Sequence, residues 1–283
     1  MRFNARRLIR KSISPSAALA LVAAVALFGC KGDEGEDPLF VSGQEMMKAR
    51  WENRRDEHQG VRVLRLRVAV VDVPIGLSSA SEDVWSTVDE DVVSPVQSVN
   101  FTANGLRVGV GSLEQWDRLA GALGELAGRP VRQTITIGAL SQPITVALKE
   151  RQGPKTLFIV HRDGTLSGRD IPAGDYLLAM LCATKPGQLN QLTITGQPQI
   201  RSRRRRARIR NVQGRTSVAR RPTLTGLESM TFQLTISTGS FILIGPSGRA
   251  SEPNTVGHQF LVKTKGGLPV ETLLILIPEI VET

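Results

Sequence analysis

Hydrophobic and polar positions change their rhythm three times along this chain. Residues 31–60 are dense in charge and poor in aliphatics; Met46, Met47 and Trp51 fall on one face of a short helix, but the segment lacks the apolar residues for a core of its own. At Val61 the pattern becomes period two. RVLRLRVAVVDV sets Leu64, Leu66, Val68 and Val70 on one face and Arg65, Arg67 and Ala69 on the other, which predicts a half-exposed strand that becomes buried toward its end. The next rhythm is helical. Ser81 is a cap with Glu82 and Asp83 at the positive end, and Val84, Trp85, Val88 and Val92 recur at helical spacing until Pro95 stops them. A second helix begins at Ser112, paired with Gln115 as a capping box. It carries Leu113, Trp116, Leu119, Ala120, Leu123, Leu126 and Ala127 as one stripe and ends at Gly128 and Pro130.

Beyond Pro130 strand patterns follow one another: VRQTITIG, PITVALKE, KTLFIVH, DYLLAMLCA, QLTITG, a strand around the arginines from 201, MTFQLTIS, SFILIG, HQFLVKTK and PVETLLILIPEIV. Asp163-Gly164, Gly239-Ser240 and Gly266-Gly267 lie where tight connections are needed. The fold class expected is α+β, mainly antiparallel β with two or so packed helices in the N-terminal half. The folded region is 61–283, divisible into a helix-containing part, 61–150, and a β-rich part, 151–283.

The N-terminus alters how the charge is read. A basic start (Arg2, Arg6, Arg7, Arg10, Lys11) precedes an apolar run from Ala17 to Phe28 and then Gly29-Cys30, the order of an export signal. The run is short of the ~20 apolar residues that span a bilayer. Leu27-Phe28-Gly29-Cys30 resembles the lipobox of bacterial lipoproteins. That resemblance implies a signal peptide over 1–29, acylation of Cys30, and a charged tether over 30–60. Several acyl chains anchor stably, at about 0.8 kcal/mol per buried CH₂. Lys31 after the lipidated cysteine implies, by the same resemblance, transfer to the outer membrane, with the protein facing the periplasm. Removal of 1–29 takes five basic and no acidic residues, lowering the formal charge from +10 to +5. With Cys30 acylated, Cys182 has no partner for an intrachain disulfide and is expected to pack as a small core residue.

The most conspicuous charged stretch is RSRRRRARIR, with Arg201, Arg203, Arg204, Arg205, Arg206, Arg208 and Arg210, followed by Arg215, Arg220 and Arg221 without an intervening carboxylate. In an exported, lipid-anchored chain this is not a nucleic-acid site, and no aromatic residue interrupts it as a stacking platform. Three readings stay open: a solvated face, contact with anionic lipid or lipopolysaccharide phosphates, and an acidic protein or polysaccharide partner. Catalysis is not expected. His58, His161 and His258 match neither H-E-x-x-H nor a Cys/His zinc module, so no metal and no cofactor are expected. Residues 104–111, NGLRVGVG, lack the third glycine of a dinucleotide loop and the Gly-Lys-Ser/Thr of a phosphate loop, and GPSG at 245–248 is not G-x-S-x-G.

The C-terminal segment from Ser240 resembles the end of the secretin family, the ring channels of bacterial secretion and pilus systems. A strand ending in Gly245 precedes a loop, and a final strand carries Leu273, Leu274, Ile275, Ile277, Pro278, Ile280 and Val281. RVLRLRVAVVDVPIG corresponds in this outline to the early strand of the same core. The resemblance implies a structural or scaffolding role linked to a secretin-type system, with a homo-oligomer or a secretion-system protein as partner. The chain departs from the family in lacking a proline- and glycine-marked lip and membrane-spanning hairpins. Arginines on a lipid-facing strand cost roughly 2–4 kcal/mol each near the bilayer centre.

Overall fold

The computed structural model describes residues 62–151, 153–185, 188–212 and 215–282, all within the second of two compact units, Gly60–Thr283. Cys30, Met46, Met47, Trp51 and His58 lie outside the described residues.

The frame is a mixed-length antiparallel sheet built around the two most apolar segments. Strands β1 (Arg62–Pro74) and β13 (Leu268–Glu282) pair from Arg62↔Glu282 to Pro74↔Val270. β13 is flanked on its other side by β11 (Ser240–Pro246) and the short β12 (Val262–Lys265), and the order is completed by β2 (Leu106–Ser112) beyond β11 and β3 (Gln133–Ala139) beyond β1. Both faces of this sheet are buried, which explains why LLILI reads as continuous rather than alternating.

On one face, Ala69, Val71, Val73, Phe241, Leu243, Leu273 and Ile275 pack against α1 (Glu82–Trp85) and α3 (Trp116–Ala127) through Val84, Trp85, Leu119 and Leu123. On the other, Leu64, Leu66, Ile242, Ile244, Leu274 and Leu276 meet a second sheet. That sheet runs β10 (Phe232–Ser237), β8 (Gln188–Val212), β7 (Gly174–Lys185), β4 (Pro143–Arg151), with β9 (Arg215–Gly226) also paired to β8. Tyr176, Leu178, Met180, Ile194, Phe232 and Leu234 supply its inner face, and a hairpin of β5 (Lys155–Val160) and β6 (Leu166–Ile171) closes one end with Leu157, Ile159 and Ile171. The α+β, mainly antiparallel architecture is the one expected from the sequence.

Local differences have physical causes. The helix expected over 82–92 stops after Trp85, and Pro95, expected as a terminator, opens α2 (Pro95–Ala103) instead. Proline suits the first helical turn, where its missing N–H has no intrahelical partner, and the Ser94 hydroxyl accepts from Gln97 N as the cap. The Ser112/Gln115 capping box is replaced by a single 3₁₀ turn, Leu113–Gln115, with the Ser112 hydroxyl accepting from Glu114 N; α3 then ends as expected at Gly128, φ +62°. HQFLVKTK is not one strand. Thr255 caps a short helix, α4 (Val256–Leu261), and only Val262 onward is extended. β6 and β9 form even though LSGRDI and RTSVARRPTLTG carry too little apolar alternation to announce strands.

Candidate functional site

The arginine run occupies the outer part of β8. β7 accompanies β8 only as far as Gly174↔Ser202, and β9 pairs with it from Gln199↔Gly226 out to Val212↔Arg215, with a bulge between Arg201 and Arg205. From Arg205 onward the second sheet is therefore two strands wide. Eight residues at about 3.3 Å each give an arm of roughly 26 Å. A bulge increases local twist, so its position at the arm's root lets the ribbon leave the plane of the sheet.

Register sorts the arginines. Arg206 stands opposite Arg221, Arg208 opposite Ala219, Arg210 opposite Ser217 and Val212 opposite Arg215, all on one face; Arg205, Ala207, Ile209, Val218 and Arg220 fall on the other. No Asp or Glu occurs between Asp175 and Glu228. Arg201 donates to Asp175 Oδ2 through Nε (3.0 Å) and Nη2 (2.7 Å), and Arg203 pairs with Glu150. Within the arm Arg206 stands opposite Arg221, and like charges directly opposite one another destabilise a strand pair; a two-stranded ribbon is marginal by itself in water.

The other residues singled out in the sequence serve packing or turns. His161 Nε2 contacts Ser167 Oγ at 2.7 Å across the β5–β6 turn, where Gly164 has φ +78°. His258 Nδ1 lies 2.8 Å from the Ala250 carbonyl, and burial, with the neighbouring Lys149, Lys155 and Arg151 charges, holds its pKa below the ordinary histidine value. Cys182 is buried in β7, and burial pushes its thiol up to about 11. Gly109 and Gly111 are there for close packing: a Cβ on Gly109 would stand 2.7 Å from Val88, and one on Gly111 would overlap the Phe241 ring. Ser247, the serine of GPSG, is buried and donates to the Thr102 carbonyl at 3.0 Å. Among the described residues no three His, Cys, Asp or Glu side chains are grouped to hold a metal ion, and no helix is long and apolar enough to cross a membrane. An open cleft of about 510 Å³ beside Gly111 is lined by Asp89 and Glu114 as its titratable groups.

One cluster was not legible in the sequence. Lys149 and Arg151 of β4, Lys155 of β5 and His258 of α4 lie close enough for their charges to act on one another, and Tyr176 of β7 stands beside Lys149 and Arg151, although they come from three separate stretches of chain.

No family model matches the chain, and no curated protein matches it. Among solved structures, Aeromonas hydrophila ExeD is similar at 10% identity and a TM-score of 0.23, over 94% of this chain and 58% of that chain. The chain thus spans less than two thirds of ExeD, and at that score the likeness carries no argument about fold or function.

Proposed function

We propose that this is a lipid-anchored protein of a bacterial envelope, tethered through Cys30 to the outer membrane and facing the periplasm. Its work is binding and structural rather than catalytic. The arm of β8 and β9 is its contact with a phosphate-bearing anionic surface, either lipid headgroups or lipopolysaccharide. The observation that carries this reading is the placement of Arg206, Arg208, Arg210, Arg215 and Arg221 on one face of a two-stranded ribbon without a carboxylate along it. Guanidinium groups bind phosphate oxygens through paired hydrogen bonds, so a polyanion relieves the repulsion that the register imposes.

The test is sedimentation of the full chain with vesicles, comparing phosphatidylglycerol-containing with purely zwitterionic ones. At about 1 kcal/mol per basic residue near an anionic surface, replacing Arg206, Arg208, Arg210 and Arg221 with glutamine should weaken binding by up to about a thousandfold at low salt. The difference should fade as the screening length shrinks from ~10 Å at 0.1 M toward ~3 Å at 1 M. Equal binding of the two proteins at low salt would remove the arm from the reading. Intact mass of membrane-extracted protein beside a Cys30→Ser variant tests the anchor: a chain beginning at Cys30 with added acyl mass is expected.

A second reading, membership of a secretin-type secretion or pilus assembly, is favoured by a specific pairing. The two segments that resemble the secretin core, 62–76 and 240–281, supply β1, β11 and β13, which are adjacent in one sheet. A large homo-oligomer or complex in detergent extracts is the outcome expected from it, and a small particle is the outcome expected of a solitary tethered binder.

A further inference from the structure

Away from the arm, the cluster around Tyr176 has the makings of a site. Past the irregularity between Ala147 and Lys149, alternation puts Lys149 and Arg151 on one face of β4, and register sets Tyr176 opposite Lys149. The Tyr176 ring meets Phe260 edge to face, centroids 4.8 Å apart, so this face looks onto α4. Lys149 Nζ lies 5.9 Å from the Tyr176 ring centroid and donates to the carbonyls of His258 (3.4 Å) and Val262 at the C-terminal end of α4. Arg151 donates through Nη1 to Gln259 Oε1 (2.9 Å) and through Nε to the Gly153 carbonyl (3.2 Å). Lys155 donates to the Pro253 carbonyl at 3.2 Å.

Every one of these acceptors is neutral, so the donors are anchored while the charges stay uncompensated. Carboxylates on these and the flanking elements have other partners: Glu150 pairs with Arg203, Asp170 accepts from Thr156, Asp175 from Arg201, Asp72 pairs with Lys263 and Lys265, and Glu252 with Arg249. Burial, then mutual positive charge, pushes Lys149 down to about 8 and Lys155 below its ordinary value. An independent observation points the same way. The Tyr176 hydroxyl is buried and has no hydrogen-bond partner among the described residues, an unfavourable state until an acceptor reaches it. Nη2 of Arg151 is likewise without a partner among the described residues, and Lys155 retains donors beyond its single carbonyl.

We propose that the junction of β4, β5 and α4 binds a phosphate group, with Arg151, Lys155 and the Tyr176 hydroxyl as its donors and Lys149 as fixed positive charge behind them. Two or three cations with donors from separate directions suit a tetrahedral dianion better than a planar monovalent carboxylate. The site is separate from the arm and does not depend on it.

The experiment is equilibrium dialysis of the full chain, in a non-ionic detergent, against radiolabelled inorganic phosphate at constant ionic strength. One phosphate per chain is expected, with affinity reduced about tenfold to a hundredfold in Arg151→Gln/Lys155→Gln, the loss of charge-assisted hydrogen bonds. Tyr176→Phe should weaken phosphate several-fold while its urea midpoint in chloride stays equal or rises, because the unpaired hydroxyl is gone; a merely structural tyrosine would lose stability instead. The arm variant, with Arg206, Arg208, Arg210 and Arg221 replaced by glutamine, should keep its phosphate. No retention by the unmodified chain, equal retention by the double variant, or loss with the arm variant alone overturns the site. Displacement of the bound phosphate by phosphatidylglycerol vesicles assigns it to a lipid headgroup, and persistence in their presence assigns it to a soluble phosphate.

Discussion

Gly257 offers a sharp test of how the fold is closed. It sits in the first turn of α4, where its N–H donates to the Asn104 carbonyl at 2.8 Å, while the neighbouring Gly105 carbonyl accepts from Ser247 N at 3.0 Å. An added Cβ would stand 2.8 Å from Gly105 Cα and closer still to its carbonyl, where ordinary contacts begin near 3.4 Å. Backbone is on both sides, so neither partner has a rotamer with which to yield. Gly257→Ala must separate the two segments, weakening both hydrogen bonds and lifting Val256, Phe260 and Leu261 from the core. Overpacking costs about 1–3 kcal/mol, and two hydrogen bonds add about 1 kcal/mol each, giving roughly 3–5 kcal/mol against a total stability on the order of 5–15 kcal/mol. Gly121 provides the control. It lies exposed in the middle of α3 with nothing within 4 Å of an added Cβ, so the same Gly→Ala change there should stabilise by about 0.8–1.0 kcal/mol through helix propensity. The assay is urea unfolding with the slope checked for constancy. With a slope near 3 kcal/mol/M, the Gly257→Ala midpoint should fall by about 1–2 M and that of Gly121→Ala should rise slightly. Equal midpoints for Gly257→Ala and the parent would refute the close approach.

Two further outcomes follow from buried ionisable groups. Glu271 is buried, and its Oε1 accepts from Ser78 N, from Ser78 Oγ at 2.6 Å and from Ser79 N at 3.0 Å. Glu271→Ala leaves all three donors without an acceptor and should cost about 3 kcal/mol or more, at about 1–3 kcal/mol for each stranded donor, with faster hydrogen exchange at the Ser78 and Ser79 amides; unchanged exchange there would contradict the account. Lys149, held at about 8 by burial and then by Arg151, Lys155 and Lys263, binds its proton less tightly folded than unfolded, where the value is 10.5. The unfolded chain therefore carries more protons between those pH values, and this group makes stability rise with pH across that window. Lys149→Met should flatten the rise measured by urea midpoints from pH 8 to 10.5, and an unaltered slope would count against it.

Legibility in the sequence followed the reach of the forces involved. β1 and β13 were plain as strands because their periodicity is local, and α3 because its stripe, its serine turn and Gly128 lie within one short stretch. Their partners were not plain, since register between Arg62 and Glu282 is set by tertiary packing. Pro95 and HQFL misled for a shared reason: proline both ends and begins helices, and four residues cannot separate a helical turn from a strand. The arginine run was visible as composition, yet its shape as an arm depends on where β7 stops. Lys149, Arg151, Lys155 and Tyr176 carry no motif, because only folding brings their strands to α4. Cys30 and the tether lie outside the described residues.

The pairing of β1 with β13 also sets a timetable. β1 is an apolar strand whose partner, from Val270 to Glu282, is made only after every other described strand. β3 can pair with one edge of β1 early, but the central sheet cannot close until the chain is nearly finished, and such non-local topologies fold slowly. Until β13 arrives, RVLRLRVAVV presents an unpaired apolar edge of the kind that draws other chains into register. A nascent chain of this protein is thus kept pliable well into its synthesis and at the same time made dependent on something to shield its first strand.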